Sequence, residues 1–294
     1  MPEILVISGK GGTGKTSLTG AFAHLARNAV ICDLDVDAPD LHLLLQPQPQ
    51  RTEDFHSGNQ AVINQDLCSD CGLCLEMCRY QAISRQEQGL AVDGRRCEGC
   101  KVCVHFCPAQ AIDFPVKHCG RWYVSQTRFG PMVHAQLFPG QENSGRLVAL
   151  LRQQAKALAQ SQGRDLIICD GTPGIGCPVI SSLSGVDLAV AVTEPTPSGR
   201  HDLERVVELC GHFRVPAAVI INKHDLNYAQ SDLIEGYCAQ MALPLMAKLP
   251  HDPMVVQAML AGQVVTEYSQ RGLSDLIRGA WQAIETLARH ERAA

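Results

Sequence analysis

A glycine-rich turn near the start of the chain constrains the fold more than any other feature. Residues 3–8 (EILVIS) form a short apolar, β-branched run, which predicts a buried parallel strand. The segment GKGGTGKT at 9–16 follows and fits the phosphate-loop pattern G-x-x-x-x-G-K-[ST]. An amphipathic helix is predicted at 15–27. A strand, a phosphate loop and a helix in this order predict an α/β fold, with helices packed on a parallel sheet.

The loop residues predict a site for a nucleotide and a magnesium ion. Glycines let backbone N–H groups turn towards phosphate oxygens, and the dipole of the following helix adds to the attraction. We expect Lys15 to reach the β- and γ-phosphates and the Thr16 hydroxyl to bind Mg²⁺. The predicted nucleotide-binding residues of the loop are Gly11, Gly12, Thr13, Gly14, Lys15, Thr16 and Ser17.

Acidic residues end two further apolar runs. The run at 29–33 leads into alternating acids, among them Asp33 and Asp35, and the run at 165–170 ends in Asp170. Ligands of open α/β sheets bind at the carboxyl ends of the strands, so these carboxylates are candidates for the site. Asp170 is expected to hold Mg²⁺ through water. The alternative for such acids is a helix cap or a solvated turn.

Apolar runs and helical patterns alternate through the rest of the chain. Strands are predicted at 186–195, 216–223 and 243–249, and helices at 145–160, 199–212, 231–241 and 273–289. This alternation with short loops predicts a doubly wound, mostly parallel sheet. The last helix has apolar residues at helical spacing and acids among its polar residues, which favours a core-facing helix over a membrane anchor.

Eight cysteines interrupt this alternation in two copies of one spacing. Cys68, Cys71, Cys74 and Cys78 recur 29 residues later as Cys97, Cys100, Cys103 and Cys107. The sequence QAI follows both runs, at 81–83 and at 110–112. The spacing C-x2-C-x2-C-x3-C is that of bacterial ferredoxins with two [4Fe–4S] clusters. Zinc sites, the alternative, use pairs of CxxC separated by longer loops.

Each run is expected to supply its fourth thiolate to the cluster of the other run. One cluster is therefore assigned to Cys68, Cys71, Cys74 and Cys107, and the other to Cys78, Cys97, Cys100 and Cys103. We predict a small inserted α+β domain of ferredoxin type at 58–116, between nucleotide-binding parts at 1–57 and 117–294. Five acidic and five basic residues lie between Cys68 and Cys107, so their total charge does not identify a redox partner.

The phosphate loop resembles that of a particular family. It carries an additional lysine, Lys10, and KGGTGKT resembles the deviant Walker A motif of the MinD/ParA/Mrp ATPases, which include the nitrogenase iron protein. The resemblance implies that Lys10 reaches the partner's nucleotide across a homodimer that ATP closes. DLDVDAPDL resembles the family's DxD segment, which implies that Asp33 lies near Mg²⁺ and that Asp35 orients the attacking water. CDGTPGIG resembles its Walker B and switch loop, with Asp170 and Gly174 in matching positions.

The resemblance covers the whole chain if the cysteine segment is counted as an insertion. It implies a slow ATPase that a partner or the redox state activates, with Lys10, Lys15 and Asp35 as catalytic residues. The most similar group is that of MinD-superfamily ATPases with an inserted ferredoxin domain.

The sequence INKHD places Asn222 and Asp225 in an N-K-x-D pattern at the end of a predicted strand. This pattern by itself favours GTP, whose guanine an aspartate recognises in GTPases. The family resemblance favours ATP, because the corresponding asparagine contacts adenine there. We predict ATP, and we expect the segment 249–253 (LPHDP) to line the base pocket.

Six cysteines lie outside the two runs. Four of them, Cys32, Cys169, Cys210 and Cys238, are interpreted as small buried apolar residues. Cys177 lies in the loop after Asp170, which faces the dimer partner in the resembling family. It is a candidate ligand of a cluster at the dimer interface, together with Cys119, although its spacing from Asp170 differs from that of the nitrogenase iron protein.

Composition narrows the classes of function. A net charge of −5 gives no electrostatic reason to expect nucleic acid, and no apolar run approaches the roughly 20 residues of a membrane span. The first ten residues do not resemble an export signal, so the 14 cysteines indicate reduced thiols and a cytoplasmic protein.

Two functions fit these features. The first is an ATP-driven dimer that transfers electrons through two clusters to a partner protein. The second is an Mrp-like factor that assembles or carries iron–sulfur clusters or metallocofactors. Spatial positioning, as in MinD, is a weaker third interpretation, because the last helix lacks the expected basic face.

Overall fold

The computed structural model describes residues 1–141 and 144–293. It divides into two compact units. The first unit comprises Met1–Glu53, Trp122–Gln136 and Ser144–Ala294, and the second comprises Asp54–Arg121 and Leu137–Asn143. The second unit thus extends beyond the predicted range of 58–116 at both ends and takes in a second, separate segment.

The elements follow one another along the chain as β-strands and helices of very different length. The strands are β1 (Glu3–Ile7), β2 (Ala29–Asp33), β3 (Gln48–Asn59), β4 (Val62–Ile63), β5 (Ile83–Gln86), β6 (Gly89–Val92), β7 (Ile112–Asp113), β8 (Val116–Thr127), β9 (Gly130–Leu137), β10 (Leu166–Asp170), β11 (Leu188–Thr193), β12 (Ala217–Asn222) and β13 (Leu245–Leu249). The helices are α1 (Lys15–Leu25), α2 (Leu41–Leu45), α3 (Leu73–Met77), α4 (Val102–His105), α5 (Ser144–Ser161), α6 (Cys177–Leu183), α7 (Pro197–His212), α8 (Tyr228–Gln240), α9 (Met254–Leu260), α10 (Val265–Tyr268) and α11 (Leu273–Ala293).

The first unit is built on a mostly parallel sheet, as predicted. Its strand order is β13-β12-β11-β1-β10-β2-β9-β8-β3, and β3 and β8 continue into the second unit. The pairs β1–β10, β1–β11, β10–β2, β11–β12, β12–β13 and β2–β9 are parallel. Every residue of β1, β2, β10 and β11 is buried, which explains why these strands are apolar along their whole length.

The last helix packs against this sheet, as its pattern predicted. Ile277, Trp281 and Ile284 of α11 are at most 3% exposed and belong to the main core cluster. The Trp281 ring stacks on Phe22 of α1 with ring centroids 5.2 Å apart. In the described part of the chain, no helix is both long and apolar enough to span a bilayer.

Strands β3, β8 and β9 were not predicted. β3 is exposed at most positions, so its residues show no apolar run or clean alternation that would indicate a strand. β8 and β9 are separated by a tight turn in which Gly130 has a φ of 144°, close to the Ala29 carbonyl. These strands extend the sheet beyond β2 through long-range pairing, which periodicity within one segment does not report.

A buried histidine on β9 gives a prediction about acid stability. His134 accepts or donates a 2.8 Å hydrogen bond with Ser125 and stacks on Tyr123. Burial, together with the charge of His42, lowers the pKa of His134 from 6.5 to about 4. The unfolded chain therefore takes up a proton near pH 6.5 that the folded chain refuses. We expect up to about 3 kcal/mol of stability to be lost between pH 6.5 and pH 4.

The measurement is the free energy of unfolding at pH 7.5 and at pH 5, compared between the wild type and His134→Gln. The amide keeps a partner for Ser125 but does not titrate, so the variant should lose less stability on acidification. Equal losses in both proteins would contradict the assignment.

Candidate functional site

The phosphate loop lies between β1 and α1, at the carboxyl edge of the parallel strands. Gly14 precedes α1 with a φ of 91°, a backbone conformation that favours glycine. A Cβ atom at this position would collide with the side-chain amide of Asn222. Asn222 in turn donates to the Thr13 carbonyl at 2.8 Å, which ties the end of β12 to the loop. Glycine is therefore required here by conformation and by space.

Lys15 and Asp170 form the buried centre of the site. The Lys15 ammonium lies 2.8 Å from Asp170 Oδ1 and 4.0 Å from Asp35 Oδ2. The Thr16 hydroxyl donates to Asp170 Oδ2 at 2.8 Å, and the Thr19 hydroxyl donates to Oδ1 at the same distance. Asp170 thus connects the phosphate-loop lysine with the hydroxyl that was predicted to bind Mg²⁺.

Two further carboxylates, Asp33 and Asp35, lie beside this centre. Asp33 is 1% exposed, and its Oδ2 has no hydrogen-bond partner. Burial, reinforced by the charge of Asp170, holds the pKa of Asp33 well above its usual range. Burial also raises the pKa of Asp35 to about 6, against the opposing charge of Lys15. An unpartnered buried carboxylate oxygen close to a second carboxylate and a threonine hydroxyl fits a divalent cation with oxygen ligands.

The loop and its neighbours enclose a cavity of about 490 Å³. Its wall includes Gly11, Thr13, Lys15, Thr16 and Asp35. The predicted phosphate-binding residues and the predicted water-orienting carboxylate therefore share one cavity, large enough to admit a triphosphate with its ion.

An adjoining cavity of about 270 Å³ has a more apolar wall. Gly12, Asn222, Leu249, Pro250 and His251 all contribute to it, which fits the predicted base pocket.

Asp225 does not line the base cavity. Its carboxylate accepts a 2.6 Å hydrogen bond from the backbone N–H of His251 and so orients the segment that forms the wall. Asn222 and Asp225 of the N-K-x-D pattern therefore have different roles in the structure. Only the asparagine faces the cavity.

Lys10 is held by its own chain. Its ammonium lies 2.6 Å from Glu194 and donates to the hydroxyls of Thr196 and Ser198 at 3.2 Å. Burial opposes ionisation of Glu194, but the hydrogen bond and charge of Lys10 outweigh it and lower the pKa of that carboxyl. Any reach of Lys10 towards a second chain requires this ion pair to open.

Several residues of the site were not predicted. Glu194 holds Lys10, Thr19 supports Asp170, and Lys223 donates to the Gly12 carbonyl at 3.0 Å. Thr19 lies one helical turn after Lys15, which is a signal that helix geometry could have supplied. Glu194 and Lys223 follow β11 and β12, so only the strand order reveals that they meet at the loop.

The two cysteine runs fold as matching halves of the second unit. Strand β4, before the first run, pairs with β7 after the second, and β5 pairs with β6. Left-handed backbone recurs at positions 29 residues apart: Asp70 and Gly99, Gly72 and Lys101, and Gln81 and Gln110. The repeated sequence QAI reflects this geometry, because Gln81 and Gln110 each turn the chain after the fourth cysteine.

The fourth thiol of each run receives the same backbone hydrogen bond. The Ala82 N–H donates to Cys78 Sγ and the Ala111 N–H donates to Cys107 Sγ, both at 3.3 Å. N–H groups directed at sulfur stabilise thiolate charge and are one of the means by which proteins tune iron–sulfur clusters.

The thiols gather in the two predicted sets. Cys78, Cys97, Cys100 and Cys103 line one small cavity of the second unit. In the other set, burial raises the pKa of Cys74, and the nearby Cys68, Cys107 and Cys71 raise it further. Each set includes the fourth cysteine of the opposite run. Within the described residues, no three His, Cys, Asp or Glu side chains are arranged to hold one single metal ion.

The remaining cysteines differ in exposure. Cys32, Cys169, Cys210 and Cys238 are buried, as interpreted from the sequence. Cys177 begins α6 and is exposed. Cys119 is 1% exposed, and its thiol donates to the Ser57 carbonyl at 3.1 Å, so it is unsuited to ligate a cluster at a dimer interface.

Comparisons with known proteins agree with this geometry. The family described as the CobQ/CobB/MinD/ParA nucleotide binding domain matches residues 4–265. The uncharacterized protein MJ0578 of Methanocaldococcus jannaschii is 35% identical over 228 residues, which cover 76% of this chain and 79% of that protein. A cytosolic Fe-S cluster assembly factor Nubp1 homolog of Drosophila ananassae is 21% identical, over 90% of this chain and 76% of its own length.

Among solved structures, the septum site-determining protein MinD of Pyrococcus horikoshii, in complex with Mg-ADP, superposes with a TM-score of 0.60. It is 18% identical, and the alignment covers 99% of this chain and 98% of that one, which shows a shared fold. The family match spans the phosphate loop, all three carboxylates and the base cavity described above. The chain therefore belongs to the CobQ/CobB/MinD/ParA family of nucleotide-binding proteins.

Proposed function

We propose that this protein is an ATPase that couples nucleotide-dependent dimerisation to electron transfer through two [4Fe–4S] clusters towards a partner protein. The observation that carries the proposal is the presence, in one chain, of a phosphate-loop site and of two thiol sets in a repeated fold. ATP is preferred over GTP because Asn222 lines the base cavity, whereas Asp225 is turned to the backbone of His251.

The residues of the nucleotide site have distinct roles in this proposal. Lys15 binds the β- and γ-phosphates, and the Thr16 hydroxyl, Asp33 and Asp170 hold Mg²⁺, the last through water. Asp35 accepts a hydrogen bond from the attacking water and aligns it with the γ-phosphate. Lys10 leaves Glu194 and contacts the partner's nucleotide, so the closed dimer forms only with ATP. Positioning and charge stabilisation account for the catalysis of such a reaction.

The eight repeated cysteines bind the clusters as thiolates. Cys68, Cys71, Cys74 and Cys107 form one ligand set, and Cys78, Cys97, Cys100 and Cys103 form the other. When bound, the clusters accept and release single electrons at low potential. Cys74 is 9% exposed and packs in the core of the second unit with Ile83 and Leu90. A ligand set that is part of the unit's own core favours a resident cluster over a transferable one.

A second candidate is an ATP-dependent factor for iron–sulfur cluster assembly. The similarity to the Nubp1 homolog, over 90% of this chain, favours it. Cys71 and Cys100, one from each run, are exposed and would allow a cluster to pass to a recipient protein. The role of the exposed Cys177 is a prediction common to both candidates.

One experiment separates the two functions. The reduction potentials of the reconstituted protein are titrated with and without a non-hydrolysable ATP analogue. A nucleotide that favours one redox state must itself bind that state more tightly. We expect a shift of about 60 mV or more, equivalent to a tenfold difference in nucleotide affinity for a one-electron couple.

Lys15→Ala is the matched control, because it retains all eight cysteines and should show no shift. Unchanged potentials in the wild type, together with rapid transfer of clusters to an apo-protein, would replace the electron-transfer proposal by the assembly function.

A further inference from the structure

The charges of the second unit are divided unequally between its two halves. Residues 64–92 contain four carboxylates and two guanidinium groups, which gives a net charge of −2. Residues 93–121, an equally long half, contain three carboxylates and five basic side chains, which gives +2. The balanced total between Cys68 and Cys107 therefore hides an acidic and a basic half.

The difference arises at structurally equivalent positions. Asp66 and Arg95 are 29 residues apart, and their backbone N–H groups make matching hydrogen bonds to the side chains of Asn64 and Asp93. The next equivalent pair is Leu67 and Arg96. The third is Gly72 and Lys101, which share left-handed backbone before α3 and α4. The same fold thus presents a cation in one half where the other half has an acid or no charge.

These cations are available to a partner. The side chains of Arg95 and Arg96 are 82% and 62% exposed, and both lie 3.7–3.8 Å from the single carboxylate of Asp93. One carboxylate cannot neutralise two guanidinium groups, so positive charge remains at this surface. Exposed ion pairs at such distances contribute little, and both arginines can turn towards a docking protein at small cost.

Apolar side chains lie next to the cations. Val102 and Phe106 are 36% and 50% exposed. Both line an open groove that also contains Cys100, Lys101 and Cys107. Exposed aromatic and aliphatic groups surrounded by charge are typical of protein interfaces, and here they lie directly over cysteines of both ligand sets.

We propose that this basic surface, formed by Arg95, Arg96, Lys101, Val102 and Phe106, docks an acidic one-electron carrier protein. The inference rests on the proposed electron-transfer function and adds to it the partner's chemistry and the place of docking. The carrier is oxidised by one electron, and the cluster held by Cys97, Cys100 and Cys103 is reduced by one. No proton or leaving group is involved.

Charge explains why the carrier uses one half and not the other. Attraction between opposite surfaces accelerates encounter, and like charges exclude the wrong orientation. The acidic half, with Asp66, Asp70, Glu76 and Glu87, repels the same carrier. It has exposed apolar groups of its own, Leu67 and Leu73, so apolar contact alone would not distinguish the halves.

The test exchanges residues between the halves. A basic-to-acidic variant carries Arg95→Asp, Arg96→Leu and Lys101→Gly, and an acidic-to-basic variant carries Asp66→Arg, Leu67→Arg and Gly72→Lys. Each new side chain already occurs at the equivalent position of the same fold. A Cβ atom at Gly72 meets only the end of the Arg85 side chain, at 4.0 Å.

The probe is a purified, strongly acidic bacterial ferredoxin, and its Kd is measured at several salt concentrations by isothermal titration calorimetry. We expect wild-type binding to weaken with salt. The basic-to-acidic variant should bind at least about tenfold more weakly and lose most of its salt dependence. The acidic-to-basic variant should bind a second molecule of ferredoxin. Zero-length carbodiimide cross-linking of the wild type should join ferredoxin carboxylates to Lys101.

Iron content and the cluster absorbance of each variant separate the two proposals. Equal affinity and salt dependence in the wild type and the basic-to-acidic variant, with clusters present, would overturn the docking surface and leave the proposed function intact. No measurable binding by the wild type would also overturn it. Charge-dependent binding by a protein that cannot be loaded with clusters would support the surface and overturn the electron-transfer function.

Discussion

Replacement of Lys15 by alanine is expected to abolish ATP hydrolysis and to weaken nucleotide binding by roughly two orders of magnitude, because a charged hydrogen bond to phosphate contributes up to ~3 kcal/mol. Lys15 is 6% exposed and is the cation closest to Asp170, with Asp35 at 4.0 Å. Its removal leaves phosphate without a counter-charge and leaves buried carboxylates facing one another. The measurements are a fluorescent-nucleotide titration and phosphate release.

Lys10→Ala is the matched control for the loss of a loop lysine. Lys10 contacts Glu194, Thr196 and Ser198 and does not touch the buried carboxylates. This variant should still bind nucleotide with near wild-type affinity but should fail to dimerise with ATP, as followed by light scattering, and should hydrolyse ATP more slowly. ATP hydrolysis at the wild-type rate in Lys15→Ala would refute the site, since no other described residue supplies its charge at Asp170.

Replacement of Arg152 by methionine is expected to destabilise the first unit by about 3–5 kcal/mol, the range measured when one member of a buried ion pair is removed. Arg152 is 7% exposed and binds Glu3 with two hydrogen bonds, at 2.6 and 2.9 Å. It also donates to the carbonyls of Ser181 and Ser184, at the end of α6. The variant leaves the Glu3 carboxylate, which is 2% exposed, with only the half-exposed Lys156.

Urea unfolding followed by tryptophan fluorescence measures this effect, because Trp122 and Trp281 both lie in the first unit. Glu3→Leu combined with Arg152→Met is the control, because it removes both charges. It should recover part of the loss, since the desolvated carboxylate is gone. A loss below about 1 kcal/mol in Arg152→Met would show that Lys156 alone neutralises Glu3.

Local patterns in the sequence predicted the central strands, the long helices and the phosphate loop. β1, β2, β10 and β11 are continuous apolar runs, since both faces of these strands are covered. Helix α5 was predicted at 145–160 and spans Ser144–Ser161. Strands β3, β8 and β9 escaped prediction because pairing partners far away in sequence, rather than their own periodicity, hold them in the sheet.

The candidate site divides in the same way. The glycines, Lys15 and Thr16 follow from one short segment, whose residue types at fixed spacing are required to surround phosphate. Asp33 and Asp170 were predicted at strand ends, but their mutual proximity follows from the pairing of β2 with β10, which sets the two residues side by side. Glu194 was missed because its contact with Lys10 joins residues 184 positions apart.

By itself, the sequence determined which chemistry this protein can hold: the spacing of glycines, lysines and cysteines is a local property that is read directly along the chain. Only the tertiary structure decided where that chemistry is placed. It brought three acids and a lysine into one buried centre, interleaved the two cysteine runs, and showed the separation of their charges into a basic and an acidic half. The physical reason is that electrostatic interaction and burial depend on distance in space, which the distance along the chain does not report.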